Sequence, residues 1–74
     1  MSFADNLKYV RKQQNITQEQ LADMLSVSRQ AISKWESGQG YPETEKLLII
    51  SKELNVSLDF LFSEIFKFSA QVNK

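Results

Sequence analysis

Five hydrogen-bonding side chains fall on one side of a short predicted helix near the middle of the chain. On a helical wheel of residues 29–37 they lie within an arc of roughly 140°, and they are Arg29, Gln30, Ser33, Lys34 and Ser37. The apolar side chains of the segment, Ala31, Ile32 and Trp35, fall on the opposite side. The pattern predicts a helix that is polar outward and apolar inward.

The outward residues are of the types that recognise base edges in the DNA major groove. Arg and Lys can donate to guanine O6 and N7, and Gln can pair with adenine N7 and N6. Arg29 and Gln30 stand in the first turn, the part of a recognition helix that usually meets bases. A solvated surface helix would also carry Arg29 and Lys34 outward, and for these two alone that is the simpler interpretation. The preceding capped helix and the short turn at Ser26-Val27 favour DNA recognition.

One local pattern, an apolar residue, then Ser or Thr, then an apolar residue four positions later, occurs three times. The three copies are Ile16-Thr17 with Leu21, Val27-Ser28 with Ile32, and Val56-Ser57 with Leu61. Each is typical of an N-cap flanked by a hydrophobic staple, and Gln20 completes a capping box in the first copy. The pattern predicts helix starts near residues 17, 28 and 57.

Apolar periodicity predicts two further helices. Phe3, Leu7 and Val10 indicate a first helix from about Ser2 to Gln14. A fourth runs from about Thr44 to Asn55, since Leu47, Ile50 and Leu54 recur at helical spacing and Pro42 precedes them. We therefore expect a compact all-α domain of five helices over residues 1–62, followed by a short C-terminal extension, residues 63–74.

The composition excludes several classes of site. The chain has 74 residues, no Cys and no His, so disulfides, Cys/His zinc sites, thiol nucleophiles and imidazole bases are ruled out. We expect no cofactor, no metal and no enzymatic activity. The longest apolar run, Leu47 to Ile50, is too short to cross a membrane, and the N-terminus has no signal-peptide pattern, so a cytoplasmic location is expected. Nine basic and nine acidic residues give zero net charge, so any positive charge for DNA must be local.

Residues 17–38 resemble the helix-turn-helix of the lambda-repressor-like family, the Cro and phage-repressor type also called XRE-like. The residues that carry the resemblance are Thr17-Gln18, Glu19, Leu21-Ala22, Val27-Ser28, Ile32, Trp35-Glu36, Gly38, Pro42 and Val56 to Asp59. The resemblance extends over about residues 3–62. It implies a five-helix bundle with the helix-turn-helix at helices two and three.

The resemblance also implies roles for individual residues. Arg29, Gln30, Ser33 and Lys34 would face bases. Gln18 would contact a phosphate and support Arg29, while Ser28, Ser37 and Gln39 would contact phosphates, partly through main-chain N–H groups. Ala22 would let helices two and three approach closely, although a small helix-forming residue needs no such reason.

The same family implies a partly buried ion pair between Arg11 and Glu36, joining helices one and three. The alternative is two solvated surface charges. Trp35 could stack on a base, but its inward position favours the core. Ser26 departs from the family pattern, which has Gly in the turn, and a positive φ there would cost about 1 kcal/mol relative to Gly.

The C-terminal extension is unusually aromatic for a chain terminus. Its apolar residues fit either an alternating strand pattern or a helical face, and an exposed aromatic stripe usually marks an interface. Phe62, Ile65, Phe66 and Phe68 are therefore candidates for a homodimer contact, with the tail and helices four and five at the seam. The alternative is that the tail folds back over its own core. A dimer would present two recognition helices about 34 Å apart to a pseudo-palindromic operator.

We therefore expect a sequence-specific double-stranded-DNA-binding transcription regulator, acting as a dimeric repressor of a bacterial or phage operator. One alternative is an antitoxin or controller protein that binds DNA and uses the tail to hold a partner protein. Another is a helical interaction module without DNA binding, which the zero net charge and Glu36 on helix three leave open.

Overall fold

The computed structural model describes residues 2–63, which form five α-helices joined by short connections. The helices are α1 (Phe3–Gln13), α2 (Gln18–Leu25), α3 (Arg29–Glu36), α4 (Thr44–Leu54) and α5 (Leu58–Leu61). The described part of the chain contains no strand. The predicted all-α architecture is confirmed, and most of the predicted extension lies outside the described residues.

Four of the helices begin at a hydroxyl side chain. The hydroxyl oxygens of Ser2, Thr17, Ser28 and Ser57 each accept from a backbone N–H three residues later. At Thr17 the cap is reciprocal, because Gln20 Oε1 also accepts from the Thr17 N–H at 2.8 Å. These caps satisfy N–H groups that have no partner inside their helix. The predicted starts of α2, α3 and α5 are confirmed.

Three connections use the same three-residue turn. Its first residue is left-handed, with φ of +58° at Asn15, +57° at Ser26 and +54° at Asn55. The second residue donates its N–H to the carbonyl five positions earlier, and the three bonds are Ile16 to Arg11, Val27 to Ala22 and Val56 to Ser51. Such a bond closes the preceding helix. The third residue is the hydroxyl cap of the next helix, so one turn ends one helix and begins another.

The second residue of each turn also packs against the core. Ile16, Val27 and Val56 are half-buried there. The buried apolar core itself comprises Phe3, Leu7, Val10, Leu21, Ala22, Leu25, Ile32, Ile50, Leu54 and Leu61. Because every helix contributes to this one cluster, α2 and α3 are fixed relative to the rest of the domain. Ala22 is only 3% exposed, in agreement with a close approach of these two helices.

Polar side chains on or directly after one helix close the C-terminal ends of others. The buried Asn6 amide donates to the carbonyls of Leu61 and Ser63, both at 2.9 Å. Gln14 Nε2 donates to the Leu54 carbonyl at 2.8 Å, and Lys46 Nζ donates to the Leu25 carbonyl at 2.8 Å. Carbonyls at helix ends lack partners within the helix, so these donors tie α1 to α5 and α4, and α4 to α2.

The strained backbone at Ser26 predicts that Ser26→Gly stabilises the domain. Glycine adopts positive φ without the steric cost of a Cβ, which is partly offset by its greater freedom in the unfolded chain. We expect a net gain of about 0.5–1 kcal/mol in the free energy of unfolding, measured by urea denaturation.

Ser37→Gly is the matched control, because Ser37 has a φ of −104° and no strain to relieve. We expect this variant to be no more stable than the parent. Equal stabilisation by both substitutions would show that the left-handed backbone at Ser26 is not the cause.

Candidate nucleic-acid interface

The polar face predicted for residues 29–37 lies on α3. Arg29, Gln30 and Lys34 are exposed, and Ser33 is half-buried at the edge of the face. On the inner side Ile32 is completely buried and the half-buried Trp35 packs against the core. The helix is therefore polar outward and anchored inward, and Trp35 contributes to packing as expected.

The only acidic residue of α3, Glu36, lies in a buried ion pair with Arg11 of α1. Arg11 Nε donates to Glu36 Oε2 at 2.7 Å, and Arg11 Nη2 donates to Glu36 Oε1 at 3.0 Å. Their side chains are 9% and 3% exposed. The remaining terminal nitrogen, Nη1, donates to the Ile16 carbonyl at 2.7 Å. The structure therefore has a two-point ion pair here, and the only charges on the outer face of α3 are positive.

Gln18, the first residue of α2, connects this ion pair to the outer face of α3. Its Nε2 donates to Glu36 Oε1 at 3.1 Å, and its Oε1 accepts from Arg29 Nη1 at 3.3 Å. We call this pair of hydrogen bonds the Gln18 bridge. The hydrogen bond from Arg29 to Gln18 has the geometry expected if Gln18 supports Arg29. The bond from Gln18 to Glu36 was missed, since nothing in the sequence spacing marks it.

The serines and Gln39 proposed for phosphate contacts flank α3 and are exposed. Ser28 Oγ accepts from the Ala31 N–H at 3.1 Å, which leaves its O–H able to donate to a phosphate. The N–H groups of Ser37 and Gln39 both donate to the Lys34 carbonyl as they close α3. These two N–H groups are therefore already engaged in closing α3, and phosphate contacts by Ser37 and Gln39 remain a prediction.

The side chain of Ser37 is also engaged. Its Oγ donates to the Lys34 carbonyl at 3.1 Å, so this hydroxyl has to rotate before it can donate to a phosphate. Gly38 follows with a φ of +81°, a conformation that favours glycine. The chain leaves the helix at this point and carries Gln39 beyond its end.

An aromatic cluster of Phe3, Tyr41 and Phe62 covers one part of the surface. The Phe62 ring stacks on Phe3 with centroids 5.0 Å apart, and Tyr41 lies 5.5 Å from Phe3. Tyr41 and Phe62 are 68% and 46% exposed. Phe62 therefore contacts its own domain while keeping much of its ring open. Ile65, Phe66 and Phe68 lie outside the described residues.

Residues 2–63 contain no group of His, Cys, Asp and Glu side chains placed to bind a metal ion. None of the helices within that range combines the length and the apolar character needed to span a membrane.

Comparisons with known proteins support the same assignment of elements. A family model described as helix-turn-helix matches residues 7–61, a range that includes all of α2 to α5. The transcriptional activator BcrR of Enterococcus faecalis is 56% identical over 63 residues, which are 85% of this chain. The uncharacterized transcriptional regulator YqaE of Bacillus subtilis is 44% identical over 59 residues, or 80% of the chain. The chain spans 31% and 51% of the lengths of these two relatives.

The fold is also similar to a solved protein–DNA complex. The c2 repressor of Salmonella phage P22, crystallised with a synthetic operator, matches with a TM-score of 0.81 and 36% identity. The match covers 85% of this chain and 96% of that one. The predicted lambda-repressor-like fold is confirmed.

The buried ion pair predicts that Glu36→Ala strongly destabilises the domain. Removing one partner leaves the Arg11 guanidinium buried without its counter-charge, which costs about 3–5 kcal/mol. Urea unfolding followed by circular dichroism measures this loss.

Glu53→Ala provides the control, because Glu53 is an exposed acid on α4 and its removal should change stability by no more than about 0.5 kcal/mol. Similar small losses for the two variants would contradict a structural role for the pair.

Proposed function

We propose a DNA-binding function for this chain, which belongs to the helix-turn-helix family whose model matches residues 7–61. The function is that of a sequence-specific double-stranded-DNA-binding transcription regulator. The observation that carries the proposal is the outer face of α3, where the exposed charges are positive and the acid of the same helix is buried in an ion pair.

In this proposal α3 enters the major groove and its outer face reads bases. Arg29 and Lys34 donate to guanine O6 and N7, and Gln30 pairs with adenine. Ser33, at the edge of the face, can donate or accept at a neighbouring base. Arg29 and Gln30 stand in the first turn of the helix, where recognition helices meet base edges.

The phosphate contacts proposed here come from both sides of α3. Gln18 begins α2, Ser28 caps α3, and Ser37 and Gln39 follow it. These neutral side chains position the helix without adding charge. Because the chain has zero net charge and non-specific affinity depends on Lys and Arg at phosphates, we expect weak binding to random DNA. Discrimination therefore depends on the base contacts.

We further propose that two copies bind together as a homodimer at a pseudo-palindromic operator. The partly exposed Phe62 and Tyr41 and the aromatic residues that follow in the sequence supply apolar surface for a second copy. Two copies place two recognition helices about one DNA turn, roughly 34 Å, apart. Regulation would follow from occupancy of the operator, and the protein would act as a repressor where the operator overlaps a promoter.

We propose that the activity is DNA binding and not catalysis. We also propose a cytoplasmic location, where the chain can reach DNA. The P22 c2 repressor, whose fold this chain matches, was crystallised on an operator, which supports DNA as the partner. The relative at 56% identity is an activator. For this chain, we propose repression by occupancy, and a reporter with the operator placed inside the promoter tests that direction.

Arg29→Ala tests base reading. We expect a loss of about 1–3 kcal/mol on the preferred site and a relaxed preference at one base pair. Fluorescence anisotropy with the preferred duplex and its single-pair variants measures both effects.

Lys52→Ala is the matched control, because it removes an exposed positive charge from α4, away from the proposed face. We expect it to leave the base preference unchanged. An equal loss of affinity by Arg29→Ala on preferred and random duplexes would contradict the base-reading role, and no salt-dependent binding by the parent protein at low ionic strength would contradict DNA binding itself.

The dimer proposal predicts that the combined change Ile65→Ser, Phe66→Ser and Phe68→Ser weakens self-association in sedimentation equilibrium, because it removes apolar surface while leaving residues 2–63 intact. Tyr9→Ser is the control, since Tyr9 is an aromatic residue 43% exposed on α1, outside the proposed contact. A parent protein that remains monomeric, or a dimer that survives the triple change, would contradict the proposed contact.

A further inference from the structure

The side-chain amide of Gln18 lies between a buried carboxylate and an exposed guanidinium. Its nitrogen donates to Glu36 Oε1 and its oxygen accepts from Arg29 Nη1. Arg29 and Glu36 are seven residues apart, so they share one face of α3. A single side chain from α2 therefore contacts both ends of this helix.

The chemistry of Glu36 fixes which way the Gln18 amide points. A carboxylate has acceptors and no N–H to donate, so the amide has to turn its nitrogen toward Glu36. Its oxygen then faces the opposite side, where it requires a donor. Arg29 supplies that donor, and the guanidinium retains other N–H groups, including both on Nη2, for a base edge.

Glu36 is itself held firmly. Arg11 donates to both of its oxygens at 2.7 and 3.0 Å, and the Glu36 side chain is only 3% exposed. The orientation of the Gln18 amide is therefore set by groups buried in the domain and is present before any DNA is bound.

The two cations of the outer face, Arg29 and Lys34, differ in whether another side chain orders them before DNA is bound. Arg29 is tied to Gln18, whereas the Lys34 ammonium makes no hydrogen bond or ion pair with other described residues. A side chain that is ordered before binding loses less conformational entropy on binding. Arg29 therefore has an advantage as a base-reading group that Lys34 lacks.

We propose that Glu36 is a positioning residue for Arg29: through the fixed polarity of the Gln18 amide it holds the guanidinium ready to read a base. The proposal rests on the proposed DNA-binding function for its biological use, but the ordering of Arg29 is a property of the free protein. It assigns a role in specificity to a carboxylate that does not reach the outer surface.

The first measurement is the order of the Arg29 side chain in the free protein, from 15N relaxation of its Nε–H group. Gln18→Met removes both bonds of the Gln18 bridge and keeps a side chain of similar length. The double change Arg11→Met and Glu36→Met removes the carboxylate without leaving a buried charge, an exchange that domains often tolerate. We expect both variants to lose Arg29 order, and Glu53→Met, which removes an exposed acid from α4, to retain it.

The second measurement is the discrimination among duplexes that differ at the base pair read by Arg29. We expect both variants to lose about three- to tenfold in discrimination at this pair, the size of one hydrogen bond, and to keep discrimination at the other pairs. In an Arg29→Ala background the same changes should have no effect there. A Gln18 that acts only on a phosphate would instead weaken binding equally on all duplexes.

Unchanged Arg29 order in Gln18→Met would overturn the proposal, and this variant keeps the buried ion pair, so its result does not depend on the double variant folding. Lost order with unchanged discrimination would also overturn a positioning role. If the variants lose Arg29 order but the parent protein selects no DNA sequence, the positioning of Arg29 is supported and the proposed function is contradicted. The two proposals can therefore fail separately.

Discussion

The buried ion pair between Arg11 and Glu36 is the interaction on which the arrangement of the proposed interface depends. It joins α1 to Glu36, the last residue of α3. Arg11 Nη1 also donates to the carbonyl of Ile16, just before α2. A single guanidinium thus fixes the C-terminal end of α3 and the entry to α2. Because a buried charge without a partner is very unfavourable, these three segments stay together or the domain loses much of its stability. The pair also buries the only acid of α3, so the exposed charges of this helix are positive.

The three-residue turns complete this constraint along the chain. Each turn combines a left-handed residue, an apolar residue that packs on the core and a hydroxyl cap. In these three connections a backbone hydrogen bond and a half-buried apolar side chain therefore hold the end of one helix close to the start of the next. The turn at Ser26 places the first residues of α3 beside Gln18, which makes the Gln18 bridge possible. The strain at Ser26 accompanies this tight connection.

Much of the fold could be predicted because its signals are local. The hydroxyl caps at Thr17, Ser28 and Ser57 and the apolar spacing around them mark helix starts within a few residues of sequence. The contacts that join distant segments left no such signal: Asn6 meets residues more than fifty positions away, and Gln18 meets Glu36 across two helices. The pairing of Arg11 with Glu36 was expected from the family resemblance, and the helical-wheel positions of the two residues agreed with it. The hydrogen bonds by which the Ser37 and Gln39 N–H groups close α3 also could not be read from residue types.

Selection of bound duplexes from a random pool shows whether the outer face of α3 reads a DNA sequence. We expect enrichment of a pseudo-palindrome whose half-sites lie about one helical turn apart, with guanine or adenine at the positions facing Arg29 and Gln30. Recovery of duplexes with no shared sequence, at a salt concentration where the protein still binds, would show that this face does not read sequence.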